Sequence, residues 1–180
     1  MRKALQLLGT LNETDVEWLA RNGQKQYIQA GTTLIQEGCS IDSLYMVLDG
    51  RLSVRLASSA NKIPVATLLS GEILGEISFV DRRPPLSSVV ADEDSSILAV
   101  PRTVLSDKLA VDPAFASRFY RAVASFLADR LRTTVGRFGY GQNEEPLQVD
   151  EFTEIDDGSM EDISLAAVRF DRLLKNLSLN

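Results

Sequence analysis

The stretch SLYMVLDGRLSVRL, residues 43–56, decides the fold. Two short apolar arms flank Asp49-Gly50. Asp-Gly is favoured in two-residue turns because both positions need positive φ. Residues 43–48 and 51–56 are therefore expected to pair as a β-hairpin. On the second arm Leu52, Val54 and Leu56 alternate with Arg51, Ser53 and Arg55. That alternation predicts one buried face and one wet face.

Working outward, the same short β-type pattern runs from residue 24 to about residue 100, broken by Gly, Asp or Asn turns. Strands are expected at 63–69, 87–91 and 97–100, with a polar turn at 58–62. Toward the N-terminus, residues 13–21 read as a short helix. Asn12 or Thr14 can cap it, and Asn22-Gly23 ends it. Toward the C-terminus, Pro101 opens a short helix to about residue 110. Asp112 caps a longer helix with Pro113 in its first turn, running to 136. This helix carries two apolar stripes. Phe115, Phe119, Ala122 and Phe126 form one; Ala116, Tyr120, Val123, Leu127, Leu131 and Val135 form the other. Two stripes exceed what one buried face requires, so one is expected to cover the barrel and the other to meet a second copy through 113–138, the alternative being a core helix inside a monomer. Residues 139–162 are expected to be an acidic linker. An amphipathic helix is expected at 163–178, with Ser159 and Asp162 as a capping box before it.

Composition bounds the chemistry. The 180 residues are 44% hydrophobic and 24% charged, as in ordinary soluble proteins. No apolar run reaches the roughly 20 residues of a membrane-spanning helix, and the N-terminus lacks a signal-peptide pattern. Membrane insertion is not expected. Histidine is absent, which removes Ser-His-Asp and Cys-His catalysis and histidine-ligated zinc. Cys39 is the one cysteine; it reads as a small loop residue, and the chain fits a reducing cytoplasm. Residues 1–140 hold 16 Lys/Arg against 15 Asp/Glu, whereas 141–180 hold 3 against 10. Neither part has the clustered positive charge that grips a nucleic-acid backbone. Neither a catalytic constellation nor a metal-ligand spacing stands out, so no enzyme is expected.

The segment GEISFVDRRPPLSSVVA, residues 75–91, carries the chemistry. Gly75 lets a ligand approach the main chain. Glu76 begins a short helix whose first N–H groups, with those of Ile77 and Ser78, face outward and favour an anion. Ionised Glu76 accepts only, so it suits a sugar hydroxyl. Ser87 and Ser88 can donate to phosphate oxygens. The same residues also have plain structural readings: Glu76 as a first-turn acid complementing the helix dipole, and Gly75 as a turn glycine.

Here the sequence resembles the cyclic nucleotide-binding domain, the effector module of catabolite-activator-type regulators, of cyclic-nucleotide-dependent kinases and of gated channels. The resemblance covers about residues 5–138. It rests on LYMVLDGRLSV (44–54), SGEILGEISFV (70–80), SSVVA (87–91) and FYRAVASFLADRLR (119–132). It implies a mainly β fold, a jelly-roll barrel with flanking helices within 1–138, followed by a long dimer helix and a short extra helix. In that family 75–91 is the phosphate-binding cassette. The glutamate for the ribose 2′-hydroxyl falls on Glu76, the small hydroxyl residues on Ser87 and Ser88, and the cassette proline on Pro84. The phosphate-pairing arginine falls on Pro85. Proline has neither charge nor N–H, and losing a charged hydrogen bond costs about one to two decades in affinity. Arg82 and Arg83 precede the prolines. Either could restore the cation, or both could be solvated turn residues; the sequence leaves both open.

The resemblance implies a non-enzymatic sensor that takes cyclic AMP or a similar nucleotide, with no resident cofactor. Its expected ligand-binding residues are Gly75, Glu76, Ile77, Ser78, Arg82, Arg83, Ser87 and Ser88. Signalling would pass through the long helix and the acidic tail 144–180 to a protein partner. The alternative is a protein-interaction module that keeps the fold without the ligand. The acidic tail argues against DNA as a partner. It could also fold back over the barrel and occupy the anion pocket.

Overall fold

The computed structural model describes residues 8–57, 64–139 and 157–178. The polar turn expected at 58–62 and most of the expected acidic linker lie outside them.

Helix α1 (Glu13–Asn22) begins at Asn12. The Asn12 side chain accepts from Asp15 N–H, and Asp15 accepts from the Asn12 N–H in return, a reciprocal cap. Eight strands follow: β1 (Gln24–Ile28), β2 (Thr33–Ile35), β3 (Ser43–Asp49), β4 (Arg51–Arg55), β5 (Ala66–Leu69), β6 (Ile73–Leu74), β7 (Ser88–Ala91) and β8 (Ser95–Pro101). Helix α2 (Glu76–Asp81) lies between β6 and β7. Helices α3 (Arg102–Val111), α4 (Pro113–Gly139) and α5 (Asp157–Ser178) complete the described chain.

The strands form two antiparallel sheets in the orders β1-β8-β3-β6 and β2-β7-β4-β5, a jelly roll. This corrects the expected hairpin. β3 and β4 belong to different sheets, and Asp49-Gly50 is the corner where the chain passes between them. β3 pairs with β8 and β6, and β4 with β5 and β7. Gly50 has φ 93°, as the turn chemistry requires. A Cβ there would meet Ser95 Cα at 2.8 Å, so the corner lies directly against β8. The positive φ was legible in Asp-Gly; the partner strands were not, because a corner and a hairpin ask for the same turn residues.

The expected faces of β4 are corrected at two positions: Leu56, expected on the buried face, is exposed, and Ser53 leaves the wet face on which Arg51 remains exposed. Ser53 is fully buried. Its hydroxyl donates to Asp92 Oδ1 at 2.8 Å and accepts from Arg55 Nε at 2.9 Å, while Arg55 Nη2 reaches the same carboxylate at 3.0 Å. The polar face is covered by its own side-chain network, which satisfies the buried hydroxyl.

Two apolar clusters hold the fold. One lies between the sheets, around Ile35, Val47, Leu52, Leu68, Leu74, Val89 and Ala91. The other lies outside the β3-β8 sheet, where Leu44, Met46, Leu98 and Val100 meet helices α1 and α4, and α5 joins the same cluster. Strand β3 serves both because successive side chains point to opposite faces. Helix α4 buries Phe115, Phe119, Ala122 and Phe126, the first stripe, together with Val123 from the second. Of the second stripe, Tyr120, Leu131 and Val135 remain exposed. Asp112 caps α4 by accepting from Phe115 N–H at 2.9 Å. Buried Asp15 then fixes α4 to α1 through Arg118, with Nε and Nη2 at 2.6 and 2.9 Å from its two oxygens.

Helix α5 starts at Asp157, ahead of the expected 163, and includes Ser159 and Asp162 within its span. It docks on α1 of the same chain. Ala166, Leu173 and Leu177 are buried with Leu8, Leu11, Val16 and Leu19. Arg169 Nη1 donates to the carbonyls of Leu8 and Gly9 at 2.8 and 2.9 Å.

Candidate functional site

Gly75 opens the site. It takes the left-handed conformation, φ 83°, as the N-cap of α2. A Cβ would meet only the tip of the Ile41 side chain, Cδ1 at 2.6 Å, so it is the positive φ that calls for glycine. Helix α2 has only six residues. It ends at Arg82, also left-handed at φ 61°, the only positive-φ residue other than glycine among those described. The chain then turns outward through Arg83, Pro84 and Pro85. Gly38 N–H donates to the Pro85 carbonyl at 2.9 Å and ties this turn to the β2–β3 loop.

A cavity of about 150 Å³ opens between this segment and the barrel. Ile35, Val54, Leu68, Leu74 and Val89 form its apolar floor. Of the residues expected from sequence, Gly75, Glu76, Ile77, Ser78, Arg83 and Ser87 line it. Arg82 and Ser88 do not. Ser88 Oγ instead accepts from Glu37 N–H at 3.0 Å, which anchors the loop before β3. Pro84 and Pro85 do line the cavity, so the position where the sequence lacks a cation faces the space a ligand would occupy.

Glu76 is 2% exposed. Its Oε1 accepts from Arg130 Nη1 at 2.6 Å. Burial pushes the Glu76 carboxyl above the ordinary carboxylate range, the Arg130 charge pulls it back, and the neighbouring Glu72 raises it slightly further. Arg130 comes from α4 and lines the cavity. Its guanidinium carbon lies 4.6 Å from the centre of the Phe126 ring, one turn earlier on the same helix. A second contact joins α2 to α4: the Phe79 ring meets Phe119 edge-on at 5.7 Å. Arg102 Nη2 donates to the Phe79 carbonyl at 3.1 Å and holds the end of α2.

Arg130 is the site residue that sequence reasoning missed. A signal for it exists. The barrel-facing stripe 115-119-122-126 continues at helical spacing to 130, where the residue is arginine. A cation at the next place on a buried stripe needs an acidic partner beneath it.

The class of structure is thus a jelly roll with a small cavity behind a glycine-led short helix. Residues 25–112 match the family model described as the cyclic nucleotide-binding domain. The chain is 27% identical over 69% of its length to Glutaminase 2 of Bradyrhizobium diazoefficiens, of which it spans 19%. In structure it is similar to a cyclic nucleotide-binding domain from Methylobacillus flagellatus, at TM-score 0.70 and 22% identity, covering 79% of this chain and 84% of that one. It is also similar to the catabolite activator protein of Thermus thermophilus, at TM-score 0.62 and 20% identity, covering 96% and 86%. Those two likenesses establish the fold. No helix among the described residues is long and apolar enough to cross a membrane.

Proposed function

We propose that this chain is a non-enzymatic, ligand-responsive regulatory module whose cavity takes a cyclic nucleotide of the cyclic AMP type. The observation that carries this reading is the buried Glu76 at the wall of a cavity with an apolar floor and a charged, hydroxyl-bearing rim, in a cyclic nucleotide-binding fold. Glu76 accepts from a ribose hydroxyl there. Gly75, Ile77 and Ser78 bring the main chain close, and Ser87 donates to the anionic end. Arg82 and Ser88 hold the loop. Occupation of the cavity moves α2, and the Glu76–Arg130 and Phe79–Phe119 contacts pass that movement to α4. The exposed Tyr120, Leu131 and Val135 on α4 support a homodimer through 113–138. The output goes to a protein partner in the cytoplasm through the acidic tail 144–180, and not to DNA or membrane.

A second reading, an interaction module that keeps the fold without the ligand, is favoured by Pro85 at the cavity wall. Calorimetric titration of the chain with cyclic AMP, cyclic GMP and cyclic di-GMP separates the two, repeated with Pro85→Arg. Binding by the native chain is the expected result. Silence that becomes binding in Pro85→Arg would mean that the shape persists and the sensing does not.

A further inference from the structure

We propose that Arg130 is the anion-pairing residue of this cavity, so that the cation for the ligand's phosphate is delivered by helix α4 and not by the loop. The proposal rests on the reading of the cavity as a nucleotide site and adds how that site holds charge. Four observations carry it.

Pro85, where the loop cation is expected, lines the cavity with neither charge nor N–H. Arg82 turns away, its backbone left-handed and its side chain outside the lining. Arg83 lines the cavity only from an exposed position on the lip, where water screens its charge. Arg130 lines the same space from the inside, oriented by the Phe126 ring and by the buried Glu76 carboxylate. A guanidinium presents its N–H donors in a planar fork and can pair with two anionic groups at once. Glu76 therefore positions Arg130 for a phosphate, as an oriented cation and not a solvated one. The lining also holds Asp81 and Glu76, two carboxylates against Arg83 and Arg130. A single added anion shifts that balance, and the guanidinium fork bridges it to Glu76. Ligand arrival and the movement of α2 with α4 become one event.

The test compares two probes on the full chain by calorimetry, cyclic AMP and uncharged adenosine, for the native chain and for R130A, R130K and R83A. The readout is the ratio of the two affinities, which reports anion pairing and not general damage to the pocket. In R130A the preference for cyclic AMP over adenosine is expected to fall about 10- to 100-fold. In R130K it falls less, because the charge remains without the fork. The native salt dependence of cyclic AMP binding flattens in R130A. If R130A does not fold, as circular dichroism would reveal, R130Q replaces it with the same expectation. A ratio unchanged in R130A but lost in R83A overturns the proposal and leaves the sensor reading standing. A native chain that binds neither probe removes both together, a pattern distinct from the first.

Discussion

Glu76 is the residue at which the physics of this protein is most concentrated. A carboxylate 2% exposed survives only with a partner, and Arg130 supplies one. Burial dominates the balance, so the folded chain holds its Glu76 proton to higher pH than the unfolded chain. Between the unfolded and the raised folded value the native state binds more protons. Stability from this group is therefore fully present below that window and is lost as pH rises through it. Glu76→Gln does not titrate. Its urea-unfolding free energy, measured over about pH 5 to 8, is expected to lack this downward component relative to the native chain. Two superimposable pH profiles would show that Arg130 cancels the burial effect. Asp112 has the opposite sign. Its hydrogen bond from Lys108, then that from Phe115 N–H, hold it below the ordinary range, so its contribution is lost as pH falls.

Among elements, α4 has the most to connect. Its N-terminal half is fixed by Asp15–Arg118 and by Phe115 and Phe119, both fully buried. Its C-terminal half touches α2 through the Arg130–Glu76 pair. A helix firmly held at one end and paired through a titratable contact at the other suits the lever of the proposed function. Helix α5 serves differently, as a lid on α1. Leu173 is fully buried in the helical cluster. Leu173→Ala is expected to destabilise the chain by about 2–5 kcal/mol in urea unfolding, with the same loss relative to the native chain at every protein concentration. A loss that vanishes on dilution would mean that α5 docks between chains. The expectation that the acidic tail folds over the pocket is not met by α5, whose described contacts are with α1 and which contributes no residue to the cavity lining. The expected linker before it lies mostly outside the described residues.

At the scale of the whole molecule the open question is association. Leu131 is 64% exposed and Val135 58%, one turn apart on α4. In the proposed dimer they meet their counterparts. Leu131→Glu would bury a charge there, and sedimentation velocity is expected to show a shift from dimer to monomer. A native chain that is already monomeric at all concentrations would remove the interface. The same stripe lies just past Arg130 on α4, so ligand, helix position and dimer geometry would be coupled through a few residues of one helix.

Local chemistry was legible without any structure. The β character of 43–56, the glycine at 75, the Asn12 and Asp112 caps and the stripe 115-119-122-126 follow from turn preferences, side-chain periodicity and capping, which act over a few residues. The cavity-lining run Gly75–Ser78 and the prolines at 84 and 85 could be singled out for the same reason, since they lie in one continuous segment. What only the tertiary structure decided involves partners far apart in sequence. Asp49-Gly50 is a corner and not a hairpin because β8 and β5 take the pairings that β3 and β4 could have given each other. Ser53 is buried because Asp92 arrives beside it. Arg130 reaches Glu76 across 54 residues of chain. A residue's own type states what partner it needs; which distant group meets that need is settled only when the sheets close and the helix lies across them.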